Sequence, residues 1–144
     1  MLPARLRVHV MTVSSQATLV VRADGEPVWE KRFVCGPGEG EWKEAEFMAQ
    51  WNVYQNVYDR DYEVQIPGGT RRVEIAAVDG DWLRLSEIGI QRPGAREDVL
   101  PLRPEWDQPP ARVRYSPAVA EGPFVADVME DRGWLWETMI MPWK

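Results

Sequence analysis

From Leu6 to Ile90 apolar and polar positions alternate with period two, in short runs cut by Gly, Pro and Asp, the pattern of strands joined by tight turns. Leu6, Val8 and Val10 fall on one face of the first run, and Arg7 and His9 on the other. Ala17 to Arg22 is apolar and β-branched, Asp24-Gly25 supplies the positive φ angles of a two-residue turn, and Val28 to Val34 returns. Tyr62, Val64 and Ile66 alternate ahead of Pro67-Gly68-Gly69; Val73, Ile75 and Ala77 alternate ahead of a turn at Asp79-Gly80, and Trp82 opens one more strand. There Leu83 and Leu85 hold one phase and Ile88 and Ile90 the other, so a bulge near Ser86-Glu87 is expected to bring all four to one face.

The segment between Cys35 and Asp61 reads differently. Gly36 to Gly40 is a loop, Trp42 to Met48 fits a strand, and Trp51 to Tyr58 is rich in aromatic rings and amides without a clear period. Six or seven short strands with no helical pattern among them predict an all-β fold, an antiparallel β-sandwich of jelly-roll or galactose-binding-like type, over residues 5–92. From Pro93 onward prolines recur and periodicity fades, so 93–144 reads as a Pro-rich extension. Its last stretch, Asp127 to Met141, has helical propensity and ends at Pro142. Apolar residues would cover nearly the whole circumference of that short helix, which points to burial against another domain.

Composition narrows the function. The net charge of -6 and the lack of any Lys/Arg block argue against nucleic acid as a partner. No apolar run reaches the roughly 18 to 20 residues that span a bilayer, and the N-terminus lacks the apolar core of a signal peptide. A single Cys35 and a single His9 leave no Cys-pair zinc site, and they lie on different runs, which disfavours a Cys-His catalytic pair. No carboxylate pair stands out for glycoside cleavage. No cofactor and no metal ligand set are therefore expected, although Asp59, Asp61, Asp79 and Asp81 sit at turns where sandwich modules hold a structural calcium.

The excess of 8 Trp over 3 Phe is the informative departure, since an indole is large and brings an N–H that needs a partner. Sugars offer apolar C–H faces ringed by hydroxyls, so a glycan site needs flat rings beside amides or carboxylates. Trp51, Trp82, Tyr54 and Trp42 are the candidate stacking rings, with Gln55, Asn56, Tyr58 and Asp81 beside them. The alternative is that several of these rings fill the core.

Ala17 to Gly25, Glu41-Trp42 through Gln50-Trp51 to Tyr58-Asp59, Ile66 to Gly69, Val73-Glu74-Ile75 and Gly80-Asp81-Trp82 together resemble a β-sandwich carbohydrate-binding module found with bacterial glycoside hydrolase family 5 enzymes. Asp131 to Leu135 and Met141-Pro142-Trp143 are similar to the last helix before the eighth barrel strand of family 5 endoglucanases. The resemblance implies a non-catalytic module inserted in the barrel of a secreted, extracellular cellulase. It would recognise plant β-glucans (cellulose, mixed-linkage glucan or xyloglucan), with the parent catalytic barrel as its other partner. No catalytic residue is carried over, because the segment that bears the family's nucleophile is not in this sequence. Two rivals accompany this reading: a structural domain packed on the barrel without glycan affinity of its own, and a small hydrolase.

Overall fold

A computed structural model describes residues 2–101 continuously, and beyond them strand backbone at 113–115, 118–119, 122–123, 125–130, 135–136 and 139–140. The first seven strands are β1 (Ala4–Ser14), β2 (Gln16–Ala23), β3 (Glu26–Val34), β4 (Glu44–Met48), β5 (Val53–Ile66), β6 (Arg72–Gly80) and β7 (Leu83–Gln91). They are followed by β8 (Asp98–Pro101), β9 (Val113–Tyr115), β10 (Ala118–Val119), β11 (Gly122–Pro123), β12 (Val125–Glu130), β13 (Leu135–Trp136) and β14 (Met139–Ile140). One sheet runs β13-β14-β7-β1-β5-β4, with β8 also on β7; a second runs β3-β2-β6-β12-β9, and β10 and β11 pair separately as a two-stranded ladder. The fold is the expected β-sandwich.

The core lies between the inward faces of the two sheets: Leu6, Val8, Val10, Val64, Ile66, Leu83, Leu85, Ile88 and Ile90 from one, Leu19, Val21, Phe33, Val73, Ile75 and Ala77 from the other. Phe33 meets Tyr58 and Tyr62 edge-on, with ring centroids 5.3 and 5.2 Å away, so an aromatic seam joins β3 to β5. The Asp24-Gly25 turn has φ angles of 49° and 87° and pairs Ala23 with Glu26, the two-residue hairpin read from the sequence. The bulge is also where the phase change put it. His9 pairs with Glu87 and Val10 with Leu85, leaving Ser86 as the extra residue. In strict alternation two of the four apolar residues of β7 would face solvent, at roughly 1.5 to 3 kcal/mol each.

Other parts of the reading need correction. Trp51 to Tyr58 is mostly regular: β5 starts at Val53 and runs 14 residues. Its alternation is hidden because a polar residue, Asn56, takes an inward position, and because Asp59, at φ 44°, forms a bulge opposite β1. Asp79-Gly80 is no hairpin turn. β6 continues to Gly80, and Asp81-Trp82 carries the chain over to β7 in the opposite sheet, so Trp82 precedes the strand.

The terminal helix is contradicted where the backbone is described: Val125–Glu130, Leu135–Trp136 and Met139–Ile140 are strands. β12 pairs with β6 in parallel, a departure from the otherwise antiparallel pairing, and β14 pairs with Arg84 and Leu83 of β7. The free edge of β6 offers ladder hydrogen bonds to a run whose Val125 and Val128 are β-branched, and this outweighs a weak helical propensity. The rest of the expected helix, 131–134, 137–138 and 141, lies outside the described residues. Both β8 and β12 follow the boundary drawn at residue 92, and each pairs with a strand that precedes it.

Candidate binding site

One end of the first sheet is organised by the corner between β1 and β2. Ser15 sits there at φ 58°, where the chain leaves one sheet for the other. The Ser14 amide donates to the Trp82 carbonyl at 2.9 Å, and the Ser15 amide to the Tyr54 carbonyl at 2.7 Å. Two successive amides thus hold the start of β7 on one side of β1 and the start of β5 on the other. The Asp81 amide donates to the Gln16 carbonyl at 2.7 Å, and an Asp81 carboxylate oxygen accepts from the Ser14 hydroxyl at 2.7 Å. Next to this corner the β4–β5 hairpin closes with Met48 opposite Val53, and its turn carries Trp51 and Asn52. Trp51 is 58% exposed.

Of the eight residues singled out in the sequence, Trp51, Tyr54, Gln55, Asp81 and Trp82 come together at this end. The other three go elsewhere. Tyr58 is buried and donates to the Val34 carbonyl at 2.6 Å. Asn56 is fully buried and donates to the Gly36 carbonyl at 3.0 Å, holding the loop after β3. Trp42 lies over Gly40, where a Cβ would come within 2.6 Å of its ring; its indole N–H donates to the Gly38 carbonyl at 3.0 Å and its ring meets Tyr58. The loop that bears Trp42 is pinned at both sides: Glu41 accepts from Lys31 at 2.9 Å and from the Tyr62 hydroxyl at 2.8 Å, and Lys43 donates to the Asp59 carbonyl at 2.7 Å. Those bonds to Lys31 and Tyr62 hold the Glu41 carboxyl below its ordinary range.

Phe47, passed over in the sequence, belongs to the site. It stands opposite Tyr54 across the hairpin, 49% exposed, with ring centroids 5.1 Å apart and the planes tilted by 59°. Its signal was the run Glu44-Ala45-Glu46-Phe47-Met48, in which two glutamates alternate with an alanine and an aromatic ring. Strand alternation puts Phe47 and Tyr54 on one face of the hairpin, and Gln55 with its partner Glu46 on the other. Gln55 is therefore not beside Tyr54 on that face.

A second polar group, also missed, lies on the outward face of β1, β5 and β7. Arg7 pairs with both Glu97 oxygens (3.0 and 2.9 Å), Glu87 (2.7 Å) and Asp61 (3.0 Å). The Glu97 hydrogen bonds raise the Arg7 pKa most, against burial, and Glu87 and Asp61 add to them. Glu97 reaches this position over Gly89, where a Cβ would come within 2.5 Å of its carboxyl carbon. His9 spans Asp61 and Asp59, with a ring nitrogen 2.7 Å from an oxygen of each. Asp59 is held below the ordinary carboxyl range by His9 and Lys43; for Asp61, burial works the other way but the bonds from His9 and Arg7 outweigh it. Two of the aspartates considered for calcium thus face protein cations, and among the described residues no His, Cys, Asp or Glu group is arranged to hold a metal ion.

Cys35 is apart from His9. Its thiol donates to the Val13 carbonyl at 3.1 Å, and burial pushes its pKa up to about 11 despite a bond from the Asn56 amide. That is an inert thiol, not an activated nucleophile. Comparison of the chain with family models, curated proteins and solved structures gave no match.

Proposed function

We propose that this chain is a non-catalytic carbohydrate-binding module that recognises extended β-glucan chains, in the setting of a secreted plant-polysaccharide-degrading enzyme. The observation that carries the proposal is the collection of Trp51, Tyr54, Phe47 and Trp82 with Asp81 and Gln55 at one end of the sandwich, with Trp51 largely in solvent. An indole at a hairpin tip contributes little to the core, whereas its flat ring suits the C–H face of a sugar; the Asp81 carboxylate and the Gln55 amide stand at the same end of the sheet, on the face opposite Phe47 and Tyr54. Phe47, Tyr54 and Gln55 are held on paired strands, which limits the ordering cost on binding.

The rival reading, a domain that packs on a catalytic barrel, draws on one observation: Gln55 faces away from the Phe47–Tyr54 pair and Asn56, on their face, is fully buried, so neither amide borders those rings at the surface. Calorimetric titration with cello-oligosaccharides, barley mixed-linkage glucan and xyloglucan separates the two. A few stacking contacts at roughly 0.5 to 1.5 kcal/mol beyond area burial give affinities of about 4 to 8 kcal/mol, micromolar to millimolar. Trp51→Ala, folded, is expected to lose about tenfold or more. No binding of any of these glycans by the intact chain would give the case to the docking reading.

A further inference from the structure

We infer that the site takes a single solvated glucan chain and not the flat face of crystalline cellulose, with Phe47 as the ring that imposes the choice. This rests on the glycan-binding reading above. Stacking requires a ring parallel to the sugar's C–H face, so a flat crystal face can stack at once only on rings that share a plane. Phe47 and Tyr54 do not share one: they stand 5.1 Å apart with planes at 59°. When one lies against a plane the other turns its edge to it. The two form an angular notch, in which one ring takes a sugar face and the other walls the side of the chain.

The pair is fixed by its frame. Phe47 and Tyr54 are directly opposed in the β4–β5 ladder, and the Tyr54 carbonyl is tied to the Ser15 amide, so the backbone positions from which the two rings project are fixed.

The test compares the intact protein and Phe47→Ala in two assays: calorimetry with cellohexaose and barley glucan, and depletion from suspension by microcrystalline cellulose. Phe47 is half exposed on a short edge strand, and circular dichroism of the variant checks its fold. The inference expects binding of the soluble glycans, retention on crystalline cellulose no greater than for a sandwich protein without exposed rings, and about tenfold weaker soluble binding for Phe47→Ala. Retention of the intact protein on crystalline cellulose, which needs no variant, would overturn it while leaving the glycan-binding reading in place. Unchanged soluble affinity of folded Phe47→Ala would do the same. Absence of binding in both assays would overturn the glycan-binding reading and this inference with it.

Discussion

Replacing Gly80 by alanine tests how the corner beneath the site is built. Gly80 has φ 87°, and a Cβ there would overlap the Gln16 carbonyl oxygen and come within 2.9 Å of its carbon and 3.0 Å of the Ala17 Cα. All of these are backbone atoms, so no side chain can swing away. Placing an L-residue in the left-handed region costs about 1 to 2 kcal/mol. Separating the strands would also break the Asp81 amide to Gln16 carbonyl bond, worth about 1 kcal/mol, and disturb the pairing of Ala17 with Gly80. The total is about 3 kcal/mol or more. Gly25 is the control: its φ is also 87°, but nothing lies within 4 Å of an added Cβ, so Gly25→Ala carries the conformational term alone, about 1 to 2 kcal/mol. The entropy lost by the unfolded chain is common to both and cancels in the comparison. Thermal melts followed by circular dichroism should place Gly25→Ala about 3 to 6 °C below the parent and Gly80→Ala about 9 °C or more below it. Equal losses would refute the steric account of the corner.

Three further outcomes follow from other parts of the molecule. The Asp59 and Asp61 carboxyls are depressed in the folded state, so their ion pairs stabilise above the ordinary carboxyl range, and that contribution is lost as pH falls through the folded values; urea unfolding should show Asp61→Asn less stable than the parent at pH 7, with the difference shrinking as pH falls below the ordinary carboxyl range. Cys35, with its thiol pushed up to about 11 by burial, should react with a thiol reagent at pH 8 far more slowly in the native protein than in denaturant, and equal rates would contradict its placement. Trp42→Ala should lower stability by about 2 kcal/mol in urea titrations, somewhat less than for a fully buried Trp, while leaving glycan affinity within about twofold; a folded Trp42→Ala that loses affinity would return Trp42 to the site.

The hairpin at Asp24-Gly25 and the bulge at Ser86 were legible because each is a local signal: a dipeptide with a required φ, and a phase change within one apolar run. Long-range placement was not. Trp51, Asn56 and Tyr58 sit within eight residues of one another and look alike in composition, yet one is in solvent and two are in the interior. What separates them is that Asn56 and Tyr58 take the inward face of β5 whereas Trp51 stands in the turn before it, and the bulge at Asp59 conceals the period that would show this. The Arg7, His9, Asp59, Asp61, Glu87 and Glu97 row needs the register of three strands before it exists at all. The tail misled for a related reason: Val125 to Glu130 takes its conformation from the edge of β6 and not from its own propensity.

The central claim is that the end of the sandwich bearing Trp51, Phe47, Tyr54 and Trp82 contacts the glycan. Adding cellohexaose to the 15N-labelled protein and following amide and indole N–H resonances tests this residue by residue. The account expects progressive shifts at the Trp51 indole and at the amides of Phe47, Tyr54, Asp81 and Trp82, with the Trp42 indole unmoved. Shifts centred instead on Arg7, His9 and Asp61, or none at millimolar ligand, would contradict it.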